Sequence, residues 1–232
     1  MHRYVVSDAV KERIVRRMGR LASHDTIDAV RTVLVVVDMQ NHFVAEGFPS
    51  EVPLSREIVP VINRLARAMR AAGGTVVWIQ TTSKGALEHW ANHHKHMLSP
   101  ERVAKRLASL DEAAEGFKLY PALEPLPTDL RIKKIKYSAF IPGSSNIDAE
   151  LKRRGIDTVL IAGTATNVCC ESTARDAMLL DYRVIMLSDA NATWTDEEHA
   201  ATLNSFALFF GDVMTADEAM KKLAAAESRK SA

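Results

Sequence analysis

Three side chains with complementary chemistry follow apolar runs of the sequence. Asp38 ends the run Val33–Val37, Lys136 ends a stretch of alternating character, and Cys169 comes shortly after another apolar run. In open parallel sheets, ligands bind outside the carboxyl ends of the strands. An acid, a cation and a thiol placed at three such ends would converge on one crevice, and we predict a catalytic site built from Asp38, Lys136 and Cys169.

The chemistry suits these residue types. A thiol with an ordinary pKa near 8.5 is mostly protonated at neutral pH, whereas the thiolate is the attacking species. A helix N-terminus and a nearby ammonium both favour the anion. A carboxylate can take the thiol proton and return it to a leaving amine. Backbone N–H groups in the bend before Cys169 would stabilise the developing oxyanion by about 3 kcal/mol per donor. The pattern predicts covalent acyl transfer that ends in hydrolysis.

Each of these residues also has an ordinary structural interpretation. Asp38 could simply cap a turn, and Lys136 competes with Lys133 and Lys134 in a stretch where lysines are commonly solvated. Cys169 could be one of the small thiols that often fill protein cores. The joint placement of the three, rather than any one of them, favours the catalytic interpretation.

The elements that would position these residues alternate between strand and helix. Short β-branched runs predict strands at Val33–Val37, Thr75–Gln80, Arg131–Lys136, Asp157–Ala162 and Tyr182–Leu187. Helical patterns lie between them, and Thr195 with Glu198 and Thr215 with Glu218 form capping boxes for the last two helices. This alternation predicts a single doubly wound, Rossmann-like α/β domain over residues 1–232, with a parallel sheet of about six strands and helices on both faces.

Two segments lie outside the alternation. Residues 1–30 form an N-terminal extension in which residues 7–21 have an amphipathic helical pattern. This helix could cover the sheet edge or pack on another subunit. Residues 83–118 are too long for a bare connection, so they should contain helical turns, and we predict that they form a lid insertion.

Composition narrows the classes of function. The 232 residues include 47% hydrophobic residues and 25% charged residues, as in ordinary globular proteins. With 30 basic and 29 acidic residues, the chain lacks the basic excess that nucleic-acid binding uses. Its longest aliphatic run is far below the roughly 20 residues of a membrane span. Two adjacent cysteines make no disulfide framework, and the first 25 residues lack a signal core. We expect a cytoplasmic protein that binds neither nucleic acid nor membrane.

Other side chains near the strand ends are candidates to line a small-molecule pocket. These are Phe43, Gln80, Tyr137 and Phe140, although aromatic residues beside a strand end are often only part of the core. Four histidines cluster in the lid insertion, at His89, His93, His94 and His96. The first two share a spacing that zinc sites use, but no carboxylate or cysteine completes a ligand set. We predict no metal and no cofactor, with a polar lid or a subunit contact as the role of the cluster.

The same motifs resemble those of the isochorismatase-like hydrolases, also called cysteine hydrolases. The segments that carry the resemblance are Val36–Phe43, Lys136–Phe140 and Gly163–Asp176, within a similarity over roughly residues 30–220. The resemblance implies that Asp38 is a proton shuttle, Lys136 an electrostatic partner and Cys169 the nucleophile.

The resemblance also implies the local geometry of the nucleophile. A cis peptide between Thr164 and Ala165 would precede it, and the N–H groups of Ala165 and Cys169 would form an oxyanion hole. Cys170 stands where the family usually has an aliphatic residue. It would point about 100° away around the helix, so we assign it to packing.

Cysteine-bearing members of the family mostly cleave amide or ureido C–N bonds, and residues 166–169 with 175–176 are similar to the ureidoacrylate amidohydrolase branch. The resemblance implies a small amide, ureido or N-carbamoyl substrate and a homodimer or homotetramer. The Asp-x-His metal motif of nicotinamidases is absent after the second predicted strand. Two alternatives remain: a vinyl ether hydrolase of the isochorismatase type that uses Asp38 and Lys136 without a covalent intermediate, and a non-catalytic scaffold on the same fold.

Overall fold

The computed structural model of the chain describes residues 1–230, with side chains through Leu223. One parallel sheet runs through this part of the chain. Its strands are β1 (Thr32–Val37), β2 (Thr75–Thr81), β3 (Leu130–Lys134), β4 (Thr158–Thr164), β5 (Arg183–Ala192) and β6 (Asp212–Met214). Their order across the sheet is β3-β2-β1-β4-β5-β6, and every neighbouring pair is parallel. The predicted doubly wound α/β fold is confirmed.

Helices alternate with the strands, and several short ones lie in the longer connections. The helices are α1 (Asp8–Met18), α2 (Asn41–Val44), α3 (Ser55–Ala71), α4 (Ala86–His89), α5 (Ala91–His96), α6 (Pro100–Ser109), α7 (Ile147–Arg153), α8 (Glu171–Leu179), α9 (Asp196–Phe209) and α10 (Ala216–Lys230). Among the helices that the structure describes, none is both long enough and apolar enough to cross a bilayer.

The core lies on both faces of the sheet because alternate residues of a strand point to opposite sides. In β1, Leu34 and Val36 pack with the apolar stripe of α3, to which Ile62 and Met69 belong, and with the first turns of α10. The intervening valines of β1 pack with α7, α8 and α9 on the other face. β1 is therefore covered on both sides, which explains its unbroken aliphatic sequence.

Strand boundaries differ from the prediction where they matter for the site. β3 ends at Lys134 rather than at Lys136. The Lys134 carbonyl still accepts a hydrogen bond from Thr82 N–H of the neighbouring chain segment, but the next amide, that of Ile135, donates to Ser144 O. The chain leaves the sheet there because residues 135–144 close a loop on themselves. β6 is a sixth strand, which the sequence patterns did not locate.

The two segments outside the alternation are now placed. α1 is capped by the Ser7 side chain, and its buried Ile14 packs on Ala207 and Leu208 of α9 in the same chain. Residues 83–118 contain α4, α5, α6 and a 3₁₀ turn at Glu115–Phe117. Helical turns were expected there, and the lid role of this segment stays a prediction.

Candidate active site

A carboxylate, an ammonium and a thiol meet at the carboxyl end of the sheet. The Lys134 Nζ lies 2.7 Å from Asp38 Oδ2 and donates to Cys169 Sγ at 3.5 Å. The exposed fractions of Asp38, Lys134 and Cys169 are 0%, 1% and 6%, so all three side chains are buried. This cluster has the composition needed for thiol-based acyl transfer.

The lysine of the cluster is Lys134, and the predicted Lys136 was wrong. The Lys136 side chain points away from the cluster, and its Nζ donates to the Pro142 carbonyl in an exposed position. Strand alternation explains the difference: Ile132 and Lys134 face inward while Arg131 and Lys133 face solvent. Since β3 ends at Lys134, no further residue of that strand can reach the site. The Lys136 backbone carbonyl does accept a hydrogen bond from Lys134 Nζ at 3.1 Å.

The order of the strands places these residues together. β1 lies between β2 and β4, where the chain reverses its direction of winding, and such switch points form ligand crevices. Asp38 follows β1 directly and has a left-handed backbone, with φ 53°. Cys169 lies in a turn of π-helix, Thr166–Cys170, between β4 and α8. Left-handed non-glycine residues concentrate at functional sites, where the surroundings hold them.

Two residues that the sequence analysis missed connect these groups. Thr81, the last residue of β2, donates its hydroxyl to Asp38 Oδ1 at 2.8 Å and accepts from Lys134 Nζ at 2.7 Å. It therefore bridges the acid and the cation from the strand between them. Gln40 bonds both the N–H and the carbonyl of Thr81. The position of Thr81 at a strand end was the signal that could have identified it.

The electrostatic state of the cluster favours a protonated thiol beside an ion pair. Burial raises the pKa of Cys169 to about 12, although the Lys134 charge acts in the opposite direction. Burial alone would lower the pKa of Lys134, but Asp38 and Cys169 outweigh it and the net pKa is raised. Lys134 therefore stays charged. The Cys169 thiol therefore carries its proton at neutral pH.

A cavity of about 290 Å³ opens over the thiol. It is lined by Phe43, Pro49, Ser50, Glu51, Val52, His93, Leu98, Arg102, Arg106, Tyr137, Ala165, Val168, Cys169 and Trp194. The lining combines aromatic and aliphatic surface with few charged groups, as in small-molecule sites.

The structure divides the four predicted lining residues into two pairs. Phe43 and Tyr137 line the cavity. Gln80 does not, because β2 continues past it and its side-chain amide donates to Phe117 O at 2.8 Å. Phe140 is not in the lining either, since it packs in the core against Tyr182 at a ring separation of 5.4 Å.

The backbone before Cys169 contains the cis peptide that the resemblance implied. The Thr164–Ala165 peptide is cis, and both Ala165 and Cys169 face the cavity. Their predicted role as oxyanion-hole donors stays a prediction. Cys170 is fully buried in the apolar core, which agrees with its assignment to packing.

The histidine cluster is split between surface and interior. His93 stacks on Trp90 with ring centroids 3.9 Å apart, and His94 donates its Nδ1–H to Trp90 O at 3.0 Å. His89 and His96 are exposed. Within the part of the chain that the structure describes, no three His, Cys, Asp or Glu side chains are arranged to hold a metal ion.

Several lining residues were not among the four that the sequence predicted for the cavity. His93, Arg102 and Arg106 come from the helical insertion, and Trp194 follows β5. Trp194 donates its ring N–H to Glu51 O at 3.0 Å, which joins two loops of the cavity wall. Because Trp194 lies just beyond the end of β5, its position could have indicated a site residue. Arg102 and Arg106 lie on α6, which no strand end precedes directly, so their sequence positions gave no such indication.

Comparison with known proteins supports the family resemblance that the sequence motifs indicated. The family model described as the isochorismatase domain matches residues 32–218. The ureidoacrylate amidohydrolase RutB of Stutzerimonas stutzeri (strain A1501) is 33% identical over 214 residues, which cover 85% of each chain.

Two solved structures show the same fold. A cysteine hydrolase from Pseudomonas syringae pv. phaseolicola 1448A superimposes with a TM-score of 0.76 at 28% identity, covering 89% of this chain and 98% of that one. The N-carbamoylsarcosine amidase from Thermoplasma acidophilum gives 0.62 at 25% identity, covering 81% and 97%.

Proposed function

Because this chain belongs to the isochorismatase family, we propose that it is a cysteine-dependent amidohydrolase. It cleaves a C–N bond of a small amide, ureido or N-carbamoyl compound through a thioester intermediate. The observation that carries the proposal is the contact of a buried thiol, carboxylate and ammonium in the wall of a small cavity. Hydrolytic C–N cleavage is also what the names of its relatives describe.

In the first half-reaction, Asp38 accepts the Cys169 thiol proton as sulfur attacks the substrate carbonyl carbon. The new C–S bond forms a tetrahedral oxyanion, for which the N–H groups of Ala165 and Cys169 are the proposed donors. Lys134 stays charged beside both groups and offsets the anion that forms on sulfur. When the C–N bond breaks, Asp38 returns the proton to the departing nitrogen, and the amine or ammonia leaves.

In the second half-reaction, water replaces the amine. Asp38, again a carboxylate, takes a proton from the water as its oxygen attacks the thioester carbonyl. The C–S bond then breaks and the thiol recovers its proton. For an N-carbamoyl substrate that loses its amine first, the intermediate is an S-carbamoyl cysteine, and hydrolysis yields carbamate, which decomposes to ammonia and carbon dioxide.

The cavity limits the size of the substrate. Its volume of about 290 Å³ is at the lower end of the roughly 300–1,000 Å³ range of ligand sites. Relatives named for ureidoacrylate and N-carbamoylsarcosine support ureido and N-carbamoyl compounds as the first candidates to test. Homodimer or homotetramer assembly in the cytoplasm stays a prediction, and sedimentation analysis of the purified chain tests the assembly.

The test is an ammonia-release screen over small amides, ureido compounds and N-carbamoyl acids, repeated with Cys169→Ala and Cys170→Ala. The two cysteines are adjacent and both buried, so the second variant is a matched control. We expect Cys169→Ala to lower kcat by at least about 10³-fold and Cys170→Ala to retain activity. Rapid quenching followed by mass spectrometry should find the acyl group on the peptide that contains Cys169.

Two results would contradict the proposal. Ammonia release that persists in Cys169→Ala would show that the thiol is not the nucleophile. Hydrolysis of a vinyl ether by the Cys169→Ala variant, with no amide cleaved by the wild-type chain, would instead support the non-covalent alternative.

A further inference from the structure

Two arginines of α6 face the cavity that contains the thiol. Arg102 and Arg106 are four residues apart and therefore lie on the same face of the helix. Both line the cavity over Cys169, and both also line an adjoining depression of about 270 Å³ with Lys105. Arg106 is half-buried and Arg102 is exposed, so the pair extends from the interior of the cavity toward solvent.

The charges of these two guanidinium groups are not balanced by the protein. In the part of the chain that the structure describes, the side chains of Arg102 and Arg106 form no ion pair within 4.0 Å. Two other partly buried arginines are paired with carboxylates. Arg70 pairs with Asp129 at 2.6 Å, and Arg175 pairs with Glu171 at 2.6 Å.

The remaining ionisable groups of the cavity wall do not neutralise the arginines. The Glu51 carboxylate pairs with Arg56 at 2.7 Å and accepts from Gly47 N–H at 2.9 Å. Burial and the Arg106 charge lower the pKa of His93 to about 4, so its ring is neutral at pH 7. The cavity wall is therefore positive at the α6 end, and the reactive cluster lies elsewhere on the wall.

We propose that Arg106, assisted by Arg102, binds a carboxylate of the substrate, which makes the substrate a ureido or N-carbamoyl acid rather than a neutral amide. This inference rests on the proposed function, since it assigns a further part of the same site. A guanidinium matches a carboxylate with two parallel hydrogen bonds, which fixes orientation as well as charge. With the carboxylate held at α6, the ureido carbonyl of a short acid is directed toward the thiol.

The experiment compares two ligands that differ in this group, N-carbamoylglycine and the neutral 2-hydroxyethylurea. Turnover of both is measured with the wild-type chain, Arg106→Gln, Arg106→Lys and Arg102→Gln. The control is Lys95→Gln, which removes an exposed cation from the same insertion outside the cavity lining. Binding of both ligands to the Cys169→Ala variant, with and without Arg106→Gln, is measured by calorimetry.

We expect Arg106→Gln to lower kcat/KM for N-carbamoylglycine by about 10- to 100-fold, as removal of a charged hydrogen bond does. The value for 2-hydroxyethylurea should change less than about threefold. Arg106→Lys should recover only part of the loss, because it keeps the charge without the paired geometry. Arg102→Gln should have the same selectivity with a smaller effect, and Lys95→Gln should match the wild type.

The outcomes separate this inference from the proposed function. Equal losses for both ligands, or none for the acid, would overturn the carboxylate site while leaving the amidohydrolase intact. If neither ligand is turned over but the Cys169→Ala variant binds the acid in an Arg106-dependent manner, the carboxylate site stands and the proposed reaction fails. Acid binding that is unchanged by Arg106→Gln would overturn the carboxylate site whether or not the enzyme is active.

Discussion

Replacement of Lys134 by methionine tests the arrangement of the site most directly. Lys134 and Asp38 are both almost completely buried and lie 2.7 Å apart. Without the ammonium, the Asp38 carboxylate would remain in the interior. Among the residues that the structure describes, the Thr81 hydroxyl donates to its Oδ1 and no group donates a hydrogen bond to its Oδ2. Removal of one member of a buried ion pair typically costs about 3–5 kcal/mol of stability. For a chain of this length, that corresponds to a fall in Tm of about 6–20 °C.

The Lys134→Met variant should also lose catalytic activity at temperatures where it remains folded. Loss of the Lys134 charge removes the interaction that lowers the Cys169 pKa and that would offset the thiolate during attack. We expect kcat to fall by at least about 10³-fold, the loss typical of removing a preorganised electrostatic partner. The ammonia assay is run below the Tm of the variant, with folding confirmed by circular dichroism at the assay temperature.

Matched variants make this test specific. Lys136→Met removes a partly buried lysine two residues away whose Nζ donates to Pro142 O outside the cluster, and we expect its Tm and kcat to stay close to those of the wild type. The double variant Asp38→Asn with Lys134→Met leaves no isolated buried charge, so it should recover much of the lost Tm while remaining inactive. The reasoning is refuted if Lys136→Met is the damaging change, or if the double variant is less stable than Lys134→Met alone.

Further predictions concern the surroundings of the site. Burial lowers the pKa of His199 from 6.5 to about 4, so its neutral ring contributes stability above pH 6.5 that is lost as pH falls toward 4. The loss is up to about 3 kcal/mol, and urea unfolding should show a weaker pH dependence in His199→Gln; an unchanged dependence would contradict this. Gly163 has φ 121°, and an added Cβ would lie 2.1 Å from Val37 O; Gly163→Ala should therefore lose more than about 3 kcal/mol. Gly155→Ala, where the space is open, should lose only about 1–2 kcal/mol, and equal losses would exclude the steric explanation. Thr81→Val removes the hydroxyl between the ion-pair partners and should cost about 1–3 kcal/mol with reduced kcat, whereas Thr81→Ser should retain both; similar losses in the two variants would show that the hydroxyl is not the cause.

The positions of Asp38 and Cys169 could be predicted from the sequence because the ends of their strands could be predicted. An aliphatic run followed by Asp38 indicates a strand buried on both faces and its carboxyl end. The small-residue turn before Cys169 indicates the next such end. Parallel topology then requires the two residues to approach each other, so the order of elements was sufficient to place them together.

The lysine could not be chosen by the same reasoning. Lys134 and Lys136 have the same phase in the alternation, so both would face inward if the strand continued. The strand stops at Lys134 because the Ile135 amide bonds Ser144 O, a contact made by a loop that no local pattern predicts. Gln80 was misplaced for the related reason that β2 continues one residue further, to Thr81.

The cavity wall was the least predictable part of the site. Arg102 and Arg106 lie on a helix whose sequence specifies an amphipathic segment but not the surface on which that segment packs. Its placement depends on tertiary contacts made by residues 83–118 as a whole. Periodicity reports which face of a helix is apolar and does not report where the helix docks.

The place of α6 in the connection between β2 and β3 has a consequence for how relatives on this scaffold can diverge. Asp38, Lys134 and Cys169 are held by strand ends and the turn after β4, whereas Arg102 and Arg106 belong to a connection between β2 and β3. Exchange of that connection for one with other side chains would change this part of the cavity lining and leave Asp38, Lys134 and Cys169 in place. New preferences can thus evolve, or be engineered, by grafting a single excursion of the chain.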